Sequence, residues 1–495
     1  MFKNSEKTAE IIFILGIIVS LFSLFFSVPI VISLIYGEDV HKIFFVIGII
    51  TLLIGTSVSF IFRNKQNIKS SKKELQPRDG FLLVVLVWMV LSFVSSLPFY
   101  FQFEKISFIA SVFEAISGLT TTGATVFDGL DHMSKGILIW RALLQWIGGM
   151  GILVLTIAIL PLLGVGGMQV FRAEASGPMK DKKLTPRIAE TAKALWVIYL
   201  VLTSICAFFY WLAGMSFFDA TAHAFTTVSI GGLSTHDESI GFFNNSAIEF
   251  TAIFFMILAG MNFTLHFSVI RNLSFKMYWK SIENKCFLSI LFLGIVFVFL
   301  TLLTMDQNIG TFDYLRIVSF NVISIATTTG YATQDYGQWP PVAFSVMLLL
   351  SCFTTCSGST GGGVKMIRII IMFKQAGREL SRLMHPHAII PINIGELLIA
   401  NKVVMAILAF MFFYIVTLLV TFFLLMFSGL NPGTSLSASI ACLNNLGPAL
   451  FELGPTSNYG ILNDFQLSIL ATAMLLGRLE LLTIFIFFSG VFWKK

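Results

Sequence analysis

Charge is scarce in this chain. Asp, Glu, Lys and Arg make up 12% of its 495 residues, about half the share in a soluble globular protein. Cysteine is scarce too. Five Cys, several inside apolar runs, supply no disulfide framework. Cys352 and Cys356, one helical turn apart, lack the His or carboxylate company that a metal site needs. The apolar runs carry no His-Glu-x-x-His, Gly-x-Ser-x-Gly or paired-Asp motif. The seven His are scattered, with His385 and His387 in a basic segment. No enzyme chemistry and no cofactor are therefore expected. Apolar residues are what the chain has in quantity: 56% of the total, including 52 Phe, with a mean hydropathy of +0.87. Lipid must be the solvent for most of such a chain. A soluble enzyme, a nucleic-acid reader and a disordered scaffold are excluded. The net charge of +6 reports topology rather than nucleic-acid binding.

Ten apolar stretches are long enough to cross a hydrocarbon core of roughly 30 Å: residues 11–36, 44–62, 81–103, 142–163, 195–214, 250–270, 286–305, 341–364, 403–428 and 465–493. The first is too long for a signal-peptide core and no cleavage pattern follows it, so it reads as a retained helix. With a cytoplasmic N-terminus, all but six of the 32 Lys and Arg fall on inside segments. The six are Lys42, Lys105, Lys135, Arg141, Arg316 and Arg478. By the positive-inside rule both termini are cytoplasmic.

After residue 100, each outside connection holds an apolar stretch too short to span, followed by a polar segment with glycine. These segments read Thr-Thr-Thr-Gly-Ala-Thr (120–125), Ser-Ile-Gly-Gly-Leu-Ser (229–234), Thr-Thr-Thr-Gly-Tyr-Ala (327–332) and Asn-Asn-Leu-Gly-Pro-Ala (444–449). The aligned glycines are Gly123, Gly232, Gly330 and Gly447. The expected fold is an all-α integral membrane protein of ten transmembrane helices and four re-entrant pore helices. Four helix–pore loop–helix repeats, 79–190, 191–283, 284–375 and 376–495, would surround one axis behind a two-helix extension, 1–78. Irregular backbone at membrane depth survives only when buried in protein or lining water. Glycine lets carbonyl oxygens turn inward, and a ring of carbonyls replaces the hydration shell of a cation. The competing reading is that these loops merely close helical hairpins. Five residues beyond each glycine stands an acid, Asp128, Asp237, Asp335 and Glu452. They read either as a cation-concentrating ring at the mouth or as ordinary solvated loop acids.

These segments resemble the Trk/Ktr/HKT superfamily of potassium transporters, most closely its bacterial Trk branch. The matching text is Ser117–Thr125, Thr227–His236, Ala326–Thr333 and Ala441–Pro448, together with Gly477-Arg-Leu-Glu480 and Phe492–Lys495. The resemblance covers nearly the whole chain, and the extra helices at 11–62 fit the Trk branch. It implies potassium uptake across the bacterial inner membrane. Glycine at all four filter positions accompanies potassium selectivity in the superfamily. Carried over residue by residue, the coordinating carbonyls would be those of Thr121 and Thr122, Ile230 and Gly231, Thr328 and Thr329, and Asn445 and Leu446, with the four glycines adjoining. Potassium is then the bound substrate at the filter. The resemblance also implies a homodimer and a cytosolic regulatory subunit that binds NAD or adenine nucleotides.

Ser357–Lys365 looks superficially like a phosphate loop but lacks the Gly-Lys-Ser/Thr ending. Gly361, Gly362 and Gly363 should instead unwind the eighth span, since each costs about 1 kcal/mol against Ala in a helix. The family has a mobile intramembrane loop here; a plain helix kink is the alternative. Arg478, near the centre of the tenth span, must face protein or water. Glu480 is a poor same-face partner for it. The family places its gating arginine at the matching Gly-Arg-Leu-Glu, against the alternative of a structural pair with a distant carboxylate. A proton- or sodium-coupled symporter is the other function kept open.

Overall fold

The computed structural model describes residues 5–63, 77–158, 184–303, 310–395 and 397–488. Parts of the expected fourth, seventh and tenth spans, and the basic segments 64–76 and 172–183, lie outside them. Six described helices are long and apolar enough to cross a membrane, and a bent pair could make a seventh. Their outward faces carry side chains such as Leu21, Phe60, Phe101, Phe208, Leu293 and Phe427, all exposed. Their inward faces bury Ser, Thr and Asn, such as Ser95, Thr203, Asn284 and Thr417. That inversion of the soluble pattern is what a lipid environment demands. The fold is helical as expected, apart from Ile392–Ile394 and Leu397–Ile399, which pair as a small antiparallel hairpin.

The first two spans form an antiparallel extension. Thr8–Ile35 runs as one bent span with a 3₁₀ turn at Ser23–Phe26, and His41–Arg63 returns beside it. Close approach is possible because Gly16 and Gly55 face each other's backbone. Glu38, in the turn between them, accepts hydrogen bonds from the backbone N–H groups of Lys135 (2.6 Å) and Gly136 (3.0 Å). A carboxylate at a helix N-terminus meets unpaired donors and the positive end of the dipole, so this contact hooks the extension to the rest.

The remainder is arranged around the four short helices expected as pore helices, Phe108–Leu119, Phe217–Val228, Thr311–Ala326 and Pro432–Leu443. The sequence starts them in two ways. Ser107 and Ser216 cap the first two through their hydroxyls, whereas Pro432 opens the fourth at a position where its missing N–H costs nothing. Each pore helix lies between an outer and an inner helix of its own repeat. It also packs on the inner helix of the preceding repeat, and the fourth inner helix packs on the first pore helix. The four repeats therefore follow in order around a closed ring.

Three inner helices are not the continuous spans that hydropathy suggested. In the second repeat the helix breaks between Ser246–Gly260 and Phe263–Asn272, with a bend of 94°. In the third, Pro341–Ser351 stops well before the glycine triplet and helix resumes only at Met366. In the fourth, Asp464–Arg478 ends and Leu482–Phe488 begins after a short break. The breaks satisfy one another. Cys356 N–H bonds the Gly260 carbonyl (3.0 Å) and Phe263 N–H bonds that of Gly358 (3.1 Å), so backbone freed in one helix finds partners in the next. No hydropathy window registers such mutual support.

Candidate functional site

All four pore helices run straight into their glycine segments, and the four segments share one backbone. The aligned glycine and the residue two before it both have positive φ: Thr121 and Gly123, Ile230 and Gly232, Thr328 and Gly330, Asn445 and Gly447. Left-handed geometry is unfavourable for a β-branched residue such as Ile230, yet it recurs at the same place in every repeat. Alternation of this kind aims successive carbonyls toward one side of the strand. The second and fourth segments depart from Thr-Thr-Gly in sequence but not in conformation.

The loops also interlock. A methyl group at Gly123 would stand 2.1 Å from the Gly231 carbonyl oxygen, one at Gly232 1.9 Å from that of Thr329, one at Gly330 2.4 Å from that of Leu446, and one at Gly447 2.6 Å from that of Thr122. Each glycine thus lies against the carbonyl that precedes the next glycine, and the fourth closes on the first. The C-terminal, negative ends of the four pore helices face this ring. It gathers backbone oxygens and partial negative charge without burying one full anion, which suits a dehydrated monovalent cation. One of these carbonyls and one adjoining it already hold protein donors: Gly231 O accepts from Gln145 Nε2 (2.7 Å) and, next to the ring, Gly447 O from the Tyr459 hydroxyl (2.8 Å). A carbonyl has two lone pairs, so each keeps one to offer.

Sequence reasoning missed the residues behind the ring. Glu114 is buried on the first pore helix; it accepts from Thr125 Oγ1 and Val126 N (3.0 Å each) and pairs with buried Arg141 (2.8 Å). On the next two pore helices His223 meets Ser234 Oγ (2.9 Å) and Asn321 donates to Thr333 Oγ1 (2.9 Å). A common offset of nine residues before the aligned glycine was visible, but the residue types differ and gave no motif.

On the far side of the ring from the loop acids sits the non-helical segment 352–365. Thr360 Oγ1 donates to Val228 O (3.0 Å), at the end of the second pore helix. Gly362 N–H donates to Thr328 Oγ1 (2.9 Å) in the third loop. A methyl group at Gly362 would meet the Asn444 carbonyl at 1.8 Å, so the segment touches the fourth as well. Arg478 is fully buried and is the last residue of its helix rather than the middle of one. It donates to the carbonyls of Thr360 (2.9 Å) and Gly148 (3.3 Å). Glu480, with φ of 55°, turns away and pairs with Arg368, whose guanidinium lies 4.0 Å above the Phe410 ring. No carboxylate contacts Arg478 among the described residues. Lys365 Nζ reaches the Gly361 carbonyl and brings a second basic side chain under the ring.

A family model described as a cation transport protein, TrkH, matches residues 41–495. The chain belongs to the TrkH family. It is 43% identical over 490 residues, 98% of this chain and 99% of the relative, to the Trk system potassium uptake protein TrkH of Vibrio parahaemolyticus. It is 40% identical over 501 residues, 99% of this chain and all of the relative, to the Trk system potassium uptake protein TrkG of Escherichia coli K12. The crystal structure of the potassium transporter TrkH from Vibrio parahaemolyticus aligns with a TM-score of 0.89 at 40% identity, covering 98% of this chain and 100% of that one. As a member of the TrkH family the chain is a multi-pass membrane transport protein, not an enzyme.

In this TrkH-family chain, the four acids lie on the loops beyond the glycines. Asp128, Asp237 and Glu452 are exposed and Asp335 is half-buried. Asp237 accepts from Leu130 N (3.1 Å), Asp335 from Gly337 N (3.0 Å) and Glu452 from Asn431 Nδ2 (2.8 Å). Beside them His236 is wedged between two carboxylates, with Nδ1 against Asp131 and Nε2 3.6 Å from Asp219, its ring stacked on Phe242. Burial pushes its imidazole down, but the Asp219 and Asp131 carboxylates outweigh that and hold it above the usual histidine value. A raised folded-state pKa contributes stability that is complete below about pH 6.5 and is lost as pH rises through the folded value. Thermal unfolding scans at pH 6 and pH 9 should therefore show a lower Tm at the higher pH, with the difference reduced in His236→Gln. Equal differences in the two proteins would remove His236 from that dependence.

Proposed function

We propose that this chain takes up potassium through the interlocked carbonyl ring, with Thr121–Gly123, Ile230–Gly232, Thr328–Gly330 and Asn445–Gly447 as its selectivity filter. Potassium uptake is the activity carried in the names of its near full-length relatives. The observation that carries the filter assignment is the closed ring itself, in which each of four left-handed glycines abuts the carbonyl of the next loop. Asp128, Asp237, Asp335 and Glu452 concentrate cations at the mouth through a field that reaches about 8 Å at physiological salt. Gly361, Gly362 and Gly363, pinned by Arg478, form the gate below. The membrane potential drives entry, supplying about 2.3 kcal/mol per charge per 100 mV, so no hydrolysis in this chain is required.

The same reading places ten spans and four re-entrant helices in the bacterial inner membrane, with mouth outside, gate inside and both termini cytoplasmic. The relatives' designation as parts of a Trk system supports a cytosolic regulatory subunit binding NAD or adenine nucleotides, and the working unit is a homodimer.

Gly232→Ser tests the filter. Its Cβ would fall 1.9 Å from the Thr329 carbonyl, so that oxygen must rotate or retreat. The bi-ionic reversal potential in proteoliposomes should move toward sodium permeation, while wild type reverses at the potassium Nernst potential. An unmoved reversal potential in Gly232→Ser removes this glycine from the filter. A wild-type reversal that follows pH or sodium would indicate symport.

A further inference from the structure

Behind the ring, the same place on each pore helix ties the helix to the strand that leaves the filter. Nine residues before the aligned glycines stand Glu114, His223, Asn321 and Ala438. The first three reach the second or third residue beyond their glycine. Glu114 binds Thr125 Oγ1 and Val126 N, His223 binds Ser234 Oγ, and Asn321 both donates to Thr333 Oγ1 (2.9 Å) and accepts from Thr333 N (3.3 Å). In the fourth repeat Ala438 cannot do this, and neighbouring Ser437 exchanges longer bonds with Leu450 (3.3 and 3.4 Å). The ties are thus graded from a buried carboxylate to a hydroxyl. The first is also shared between repeats, because Arg141 bonds Glu114 (2.8 Å), Thr125 Oγ1 (2.9 Å) and the Ser234 carbonyl of the second loop (3.3 Å).

We infer that these latches are positioning residues that determine specificity: they hold the ring at the width of potassium and stop it from closing on the smaller sodium ion. The inference rests on the filter reading above. The carbonyls can contract only if the strands beyond the glycines move inward, and in three repeats such movement breaks a hydrogen bond to a buried side chain of the pore helix. Bonds to a buried charge are the costliest to break, so the first repeat resists most and the fourth least.

The test is the sodium-to-potassium permeability ratio of purified protein in proteoliposomes, measured alongside potassium flux. Thr333→Val removes only the hydroxyl that Asn321 holds, and Asn321→Leu removes the other side of the same tie. Thr333→Val should raise the ratio about tenfold, the effect of losing one hydrogen bond, and Asn321→Leu, which loses two, at least as much, while potassium flux persists. Thr333→Ser, which keeps the hydroxyl, should retain the wild-type ratio. Glu114→Gln should raise the ratio further, and Ser437→Ala should change it least. Should Glu114→Gln fail to fold, the Thr333 and Asn321 variants decide, because neither leaves a buried charge unpaired. A wild-type ratio in Thr333→Val and Asn321→Leu, with Gly232→Ser shifted, overturns the latch and leaves the filter standing. A wild-type ratio in all three overturns both.

Discussion

Arg478→Ala should raise potassium flux in the absence of any cytosolic partner by up to about 100-fold. The guanidinium holds the segment under the ring by two bonds, to Thr360 O and to Gly148 O. Hydrogen bonds from a charged donor contribute about 1.5–3 kcal/mol each. A loss of about 3 kcal/mol from the closed arrangement corresponds to roughly two orders of magnitude in rate. Removing the charge also removes repulsion toward an ion leaving the filter, which acts in the same direction. Arg478→Lys keeps the charge but cannot reach both carbonyls in a fixed fork, so its flux should lie between those of wild type and alanine. Rubidium uptake into proteoliposomes reads all three. Low flux together with poor recovery of folded Arg478→Ala would show that the arginine serves the fold and that the gate is elsewhere.

Glu480→Ala should be the most destabilising single change near Arg478. It leaves Arg368, whose side chain is only 5% exposed, without its carboxylate. Breaking a buried pair from one side costs about 3–5 kcal/mol, and the partial exposure of Glu480 places the value at the low end. Replacing both partners with Arg368→Met and Glu480→Gln should recover most of the loss, because no charge is then stranded. Thermal denaturation in detergent separates the two cases; equal Tm values for the single and the double variant would contradict the pairing. The pair has a second aspect. Arg368 is on the helix Met366–Met384, which carries Lys374, Arg378 and Arg382, whereas Glu480 is two residues from Arg478. The pair thus ties that basic helix to the turn that follows Arg478.

The ring was legible in the sequence because its physics is local. Four glycines with matching flanks mark a conformation that only such residues adopt cheaply, and basic residues mark the sides of the membrane. The helix breaks at Met261–Asn262 and at Leu479–Leu481 were not legible. Neither contains Gly or Pro within the break, and both depend on partners distant in sequence: the first on Cys356 and Gly358, the second on Arg368. Arg478 was readable as a buried cation, but its carbonyl partners were not, since a backbone oxygen has no signature in a sequence. The Glu114–Arg141 pair was missed for a related reason. Arg141 counted only as an exception to the charge rule, and its partner lies 27 residues away.

Because one polypeptide supplies all four loops, the ring need not obey the arithmetic of a homotetramer, where every substitution appears four times. A codon change here alters a single quadrant and leaves three intact. Yet the glycine-to-carbonyl contacts run head to tail through all four, so the altered quadrant is felt by its neighbours. Selection can therefore adjust ion preference in quarter steps, testing a mild asymmetry before a severe one. The Asn-Asn-Leu-Gly-Pro loop, different in sequence from the other three yet alike in backbone, shows that the quadrants need not match.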